Sequence, residues 1–210
     1  MSSFLTSRTR RVAAVLAAAG LAALTAGVAT GNAAEGGPAR IAGPVEKKIV
    51  FNCELPMVGV KPVEATVKVT FPDSGKVGEI IQPTDFATTV ALNDEVTQAL
   101  KLVGAATIEG IANPQIDATL NDTKVTLALP LTIPSSPVAE SGPTTLPFEG
   151  GVPGFAVHEA GTVTVAVGAK FTGKATPKDA SGKETGLGTI DLACTQAEGQ
   201  DAALASIPVA

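Results

Sequence analysis

The sequence predicts an all-β fold, an immunoglobulin-like or jelly-roll-like antiparallel β-sandwich with one short helix. Three observations carry this expectation. Short runs alternate apolar and polar residues with a period of two. Glycine and proline are abundant, 22 and 15 in 210 residues, and they punctuate those runs. Apolar residues make up 45% of the chain, too many for a disordered polymer.

Taken in order, "KKIVFNCEL" puts Ile49, Phe51 and Cys53 on one face of a first strand. "EATVKVTF" alternates without a break, with Ala65, Val67, Val69 and Phe71 inward and Thr66, Lys68 and Thr70 outward. "DFATTVAL" and "ATIEGIA" are weaker strands; "KVTLAL", "TVTVAVGAKF" and "GLGTIDLAC" repeat the strong pattern, the last with Ile190, Leu192 and Cys194 on one face. "PDSGK" and "KDASGKE" supply the Asp, Ser and Gly of tight reversals. One segment, "LNDEVTQALKLVG", reads as a helix. Asn93 caps it, Asp94 and Glu95 suit its first turn, Lys101 its last, and Gly104 ends it. Val96, Ala99, Leu100 and Val103 then share a face that lies across one end or edge of the sheets. The stretch from Pro130 to Gly154 carries six prolines and reads as a long surface crossing or edge segment.

The amino terminus sets the compartment. Arg8, Arg10 and Arg11 precede an apolar run from Val12, and small residues follow around Ala33, which is the layout of a secretory signal peptide. Cleavage is expected between Ala33 and Ala34. A retained anchor is the competing reading, since Val12 to Thr30 is nearly long enough to span a bilayer. Its alanines and glycines insert weakly, which favours cleavage. Arg10 and Arg11 fit a twin-arginine signal only loosely, so ordinary unfolded export is the expected route. The expected organisation is a signal peptide over 1–33, a flexible segment over 34–45 and one domain over 46–210.

Outside the cytoplasm two cysteines normally pair. A bridge between Cys53 and Cys194 would tie the first strand to one of the last and enclose 142 residues. By the chain-entropy relation such a loop is worth at most about 5 kcal/mol. Two cysteines and one histidine cannot build a closed zinc site. Signal removal also takes three arginines, leaving 12 basic against 20 acidic residues. That surface repels phosphate backbones and anionic membranes, so neither nucleic acid nor a lipid headgroup is an expected partner. No membrane span is expected after cleavage.

"FNCELPMVGVKP", "ALKLVGAATIEGIA", "GAKFTGKATP" and "DLACTQAEGQDAALASIPV" resemble a family of secreted actinobacterial proteins with a domain of unknown function. The resemblance runs from Val45 to Val209. The paired cysteines and the terminal Gly199, Gln200, Leu204, Ile207 and Val209 are its most specific part. It implies an exported β-sandwich module of a Gram-positive bacterium and supplies no catalytic residues.

Nor do the residues themselves declare a reaction. His158, the only histidine, stands beside Glu159, but no G-x-S-x-G elbow accompanies it, and a structural role is the expectation. Carboxylate-pair hydrolysis needs no sequence proximity. Against a sugar site, the chain has no Trp and no Tyr, and its phenylalanines after residue 33 sit mostly in apolar runs. No P-loop, dinucleotide fingerprint or EF-hand is present. Asn121 opens an "NDT" sequon best read as a polar turn, and Asp73 and Asp179 read as turn residues rather than calcium ligands. The expectation is therefore a secreted, non-catalytic module without cofactor or metal, binding an envelope or surface protein or a wall polymer, or serving structurally there. The competing expectation is a secreted hydrolase with dispersed acidic residues, using Glu159 near His158.

Overall fold

The computed structural model describes residues 43–210. The expected signal peptide and its cleavage point at Ala33 and Ala34 lie outside the described residues. The elements are β1 (Gly43–Leu55), β2 (Gly59–Phe71), β3 (Ile80–Ile81), β4 (Thr84–Leu92), α1 (Asp94–Leu102), β5 (Thr107–Leu120), β6 (Thr123–Ala128), β7 (Leu131–Pro137), β8 (Thr144–Phe148), β9 (Phe155–Ala156), β10 (Gly161–Lys178), β11 (Ile190–Gln196) and β12 (Ala203–Val209). Over the described residues the fold is all-β with one short helix, as the alternation predicts. β1 starts earlier than expected: Gly43, Pro44 and Val45 pair with Phe71, Thr70 and Val69, so these three residues belong to the sheet rather than to a flexible segment.

Ten strands form one antiparallel sheet in the order β6-β5-β10-β11-β1-β2-β4-β8, with β7 also on β5 and β12 also on β10; β3 and β9 make a separate small ribbon. The body is sandwich-like, but its two faces belong to one sheet curled onto itself. Two long strands make the curl. β10 runs for 18 residues; its first half pairs with β12, its second with β11, and β5 follows it throughout with a register shift between Val167 and Phe171. A register shift of this kind bends a strand and increases its twist. Glycine permits the close approach of the two backbones: a Cβ at Gly173 would stand 2.4 Å from the Ile111 carbonyl oxygen, and one at Gly168 2.9 Å from the backbone of Gln115.

The curl closes. Thr132 of β7 and Glu149, just past β8, exchange two backbone hydrogen bonds of 2.8 Å. A ring of eight strands results, β7-β5-β10-β11-β1-β2-β4-β8 and back to β7. Strands that meet all around leave few free edges and enclose what they bury. Inside lie Ile49 and Phe51 from β1, Val69 and Phe71 from β2, Leu131 and Ile133 from β7, and Val163 and Val165 from β10, all buried.

Two expectations are corrected. The proline-rich stretch is not an irregular surface crossing: it forms β7 and β8, and Leu131, Ile133, Leu146 and Phe148 in it are core residues. Its prolines are tolerated because each of these strands has one full partner, β5 or β4, and only the single bridge on its other side. The edge character was legible; the burial was not. β6 departs the other way. Among the described residues it is an outer strand paired only with β5, and of the apolar positions of "KVTLAL" Val125 is exposed, Leu127 half-buried and Leu129, just past the strand, buried.

Because Gly173 faces the Ile111 carbonyl at a distance no Cβ tolerates, Gly173→Ala is expected to lower stability by roughly 1–3 kcal/mol. Urea denaturation followed by circular dichroism measures it; an unchanged midpoint would show that β5 and β10 are not packed this closely.

Candidate functional site

One end of the ring gathers the β1–β2 turn, the end of β4, the starts of β5 and β8, and the approach to β11. α1 lies across this end. Asn93 caps it as predicted, its Oδ1 accepting from the Val96 amide at 3.0 Å. Val96 and Leu100 are buried, and Ala99 and Val103 half-buried, on the predicted inner face. Sequence reasoning missed Thr97, which is also buried: its hydroxyl pairs with the Thr144 hydroxyl at 3.0 Å and accepts from the Thr144 amide at 3.1 Å. A threonine among apolar residues gives no signal of its own until its partner on β8 is in place. Two outer contacts add to this anchor: Lys61 pairs with Glu95 at 2.6 Å, and Lys101 donates to the Glu140 carbonyl.

Under α1 the ring is not filled. A cavity of about 80 Å³ extends inward from the rim, where Met57 is 67% exposed. Met57 also holds a left-handed backbone (φ 69°), a conformation usually taken by glycine or asparagine, at the tip of the β1–β2 turn. The walls come from around the ring: Val63, Val90, Leu146, Ala175 and Ile190, roofed by Val96, Ala99 and Leu100. The side chains of the lining are hydrocarbon apart from the sulfurs of Cys53, Cys194 and, at the rim, Met57.

Those cysteines are bridged, as predicted. Cys53 and Cys194 stand directly opposite one another on the hydrogen-bonded neighbours β1 and β11, so the bond pins two adjacent strands of one sheet. The terminal residues singled out by the resemblance find a role here as well. Where β11 ends, the Gln200 side chain continues the ladder, its Oε1 accepting from the Val50 amide and its Nε2 donating to the Val50 carbonyl, both at 2.7 Å. Gly199 (φ 74°) makes the turn before it, and Leu204, Ile207 and Val209 are buried on β12.

The other candidates lie outside the cavity. His158 and Glu159 are exposed neighbours after β9. Asn121 (φ 52°) is the tip of the β5–β6 turn. Asp73 is exposed in the loop after β2. The Asp179 carboxylate accepts from the Ser181 hydroxyl and from the Ser181 and Lys183 amides, and these donors, the hydroxyl first, hold its pKa below the usual carboxylate value. Asp201 is held down by Lys47 and then by the Ala203 amide. At Asp117 burial pushes upward, and the Thr126 hydroxyl and Lys124 together outweigh it. Each of these carboxylates is engaged by the chain's own donors on the outside of the sheet. Among the described residues no group of three or more His, Cys, Asp or Glu side chains is placed to hold a metal ion, and no helix is long and apolar enough to cross a membrane.

The described residues thus form a curled antiparallel sheet with an apolar-walled cavity under one helix. The chain belongs to the Family of unknown function (DUF6801), whose model matches residues 50–205. Every residue lining the cavity falls within that span. No curated protein and no solved structure matches the chain.

Thr97→Val keeps the shape of α1 but leaves the buried Thr144 amide without its acceptor. Such a loss is expected to cost about 1–3 kcal/mol and to speed hydrogen exchange across α1. Unchanged α1 protection would show that the Thr97–Thr144 pair does not hold the helix down.

Proposed function

We propose that the protein is a secreted, non-catalytic binding module that works outside the cytoplasmic membrane of an actinobacterial cell, and that its binding site is the cavity under α1. The carrying observation is the cavity wall. Acid–base or nucleophilic hydrolysis requires titratable groups aimed at a reacting bond, whereas this wall offers aliphatic side chains, two aromatic rings and a closed disulfide. A surface of that kind gains by taking apolar area out of water, and preformed pockets that are mostly apolar are the usual sites for small ligands. The arginine-led apolar amino terminus and the disulfide support the extracellular placement.

Docking to an envelope protein or wall polymer is a second reading. It is favoured by Leu102 on α1, 85% exposed, at the same end as Met57. Retention of the oxidised protein in the pellet with envelopes from its own source, lost after protease treatment of the envelopes, would identify a protein partner. A protein that stays in the supernatant at all salt concentrations would remove this reading.

The cavity reading is tested with 1-hexanol as a probe of matching size. Calorimetry is expected to show saturable binding to the wild-type protein. Ala99→Leu, which fills the roof from a helical position, should abolish binding with the fold retained. An absence of hexanol binding to the wild type, or undiminished binding to Ala99→Leu, would overturn it.

A further inference from the structure

Deeper in the ring lies a second chamber of about 40 Å³, between β2 and β4 on one side and the bent parts of β5 and β10 on the other. The two chambers share Val90, Phe148 and Phe171 in their linings. Phe171 packs against Phe148 with ring centroids 5.8 Å apart and edge-on against Phe51 at 6.0 Å. An aromatic cluster thus stands between the two spaces.

The second chamber has a polar feature that the first lacks. Thr88, on β4, lines it and is 6% exposed, and its Oγ1 is buried without a hydrogen-bond partner among the described residues. Buried hydroxyls are normally satisfied. Valine has the same shape and would pack at this position without leaving a hydroxyl unpaired.

We infer that the two chambers form one channel for a single medium-length aliphatic chain, whose inner end carries a hydroxyl or carbonyl group that meets Thr88 Oγ1. This deepens, and rests on, the reading that the cavity under α1 binds an apolar ligand. Volume sets the length. A buried water needs about 10–15 Å³ of such space and a methylene needs about as much, so 80 Å³ takes about six chain atoms and 40 Å³ about three more. The head of the ligand stays in solvent at the Met57 rim. The chain passes Phe171, and its inner polar group replaces the partner that the sheet does not supply to Thr88.

The test is isothermal titration calorimetry of the oxidised protein with hexanoate, decanoate and 10-hydroxydecanoate, repeated on Thr88→Val and Thr88→Ser. All three probes carry the same carboxylate, so differences report on the interior. Decanoate should bind at least about tenfold tighter than hexanoate, because its added methylenes reach the second chamber. Thr88→Val should shift the ratio of the two ten-carbon affinities about tenfold against the hydroxylated chain, and Thr88→Ser should keep the wild-type ratio. Equal binding of hexanoate and decanoate would overturn the channel. A ratio unmoved by Thr88→Val would overturn the polar inner end. If the wild type binds hexanol and hexanoate but discriminates no further, only this inference fails; if it binds no apolar probe, the reading beneath it fails too.

Discussion

Every wall of the interior depends on the bend in β10. A straight strand of 18 residues would continue one flat sheet and leave an apolar face in water. Instead, β10 exchanges β12 for β11 along its length, and β5 bends with it because Gly168 and Gly173 let the two backbones come close. The inward positions before the bend, Val163 and Val165, then face the same interior as Phe171 and Ala175 beyond it. This explains why one sheet encloses two chambers and why the aromatic partition stands at Phe171, on the residue where pairing with β5 resumes.

The ring has a strong side and a weak side. Counted from the junction of β7 and β8, the β1–β11 pair is four strands away in either direction, so the disulfide sits opposite the single bridge between Thr132 and Glu149. Short, proline-bearing strands are compatible with the weak side because a missing amide there interrupts no second ladder. The covalent bond is placed where the long ladders meet and where Gln200 extends the pairing to Val50. Stiffness is thereby concentrated along one wall, while the helix and the β1–β2 turn are attached through a few side-chain contacts.

Much of the fold was legible because it rests on period. Ile49, Phe51 and Cys53, and Ala65, Val69 and Phe71, face inward as their alternation dictates, and the α1 cap follows from Asn93, Asp94 and Glu95 as local chemistry. What could not be read was tertiary. The prolines of β7 and β8 disguised core strands because their tolerance depends on neighbours far away in sequence. Val125 has a core residue's identity and an outer strand's position. The cavity was the least legible feature. It arises from the sizes of side chains such as Val63, Ala99 and Ala175 meeting across the ring, and nothing in any one segment records their meeting. The cysteines were the exception, since a chain with two cysteines offers one intramolecular pairing.

That pairing also constrains the order of assembly. Cys53 and Cys194 are 141 residues apart, and they come into register only when the first long strand meets the penultimate one of the sheet. Synthesis from the amino terminus presents Cys53 well before Cys194 emerges. During that interval the leading thiol has no intramolecular partner, and with two cysteines in all it has no wrong one to choose. Contacts so distant in sequence fold slowly. Oxidation therefore acts as a latch on a finished topology: it cannot guide the strands to one another, and it keeps β1 and β11 together once they have met.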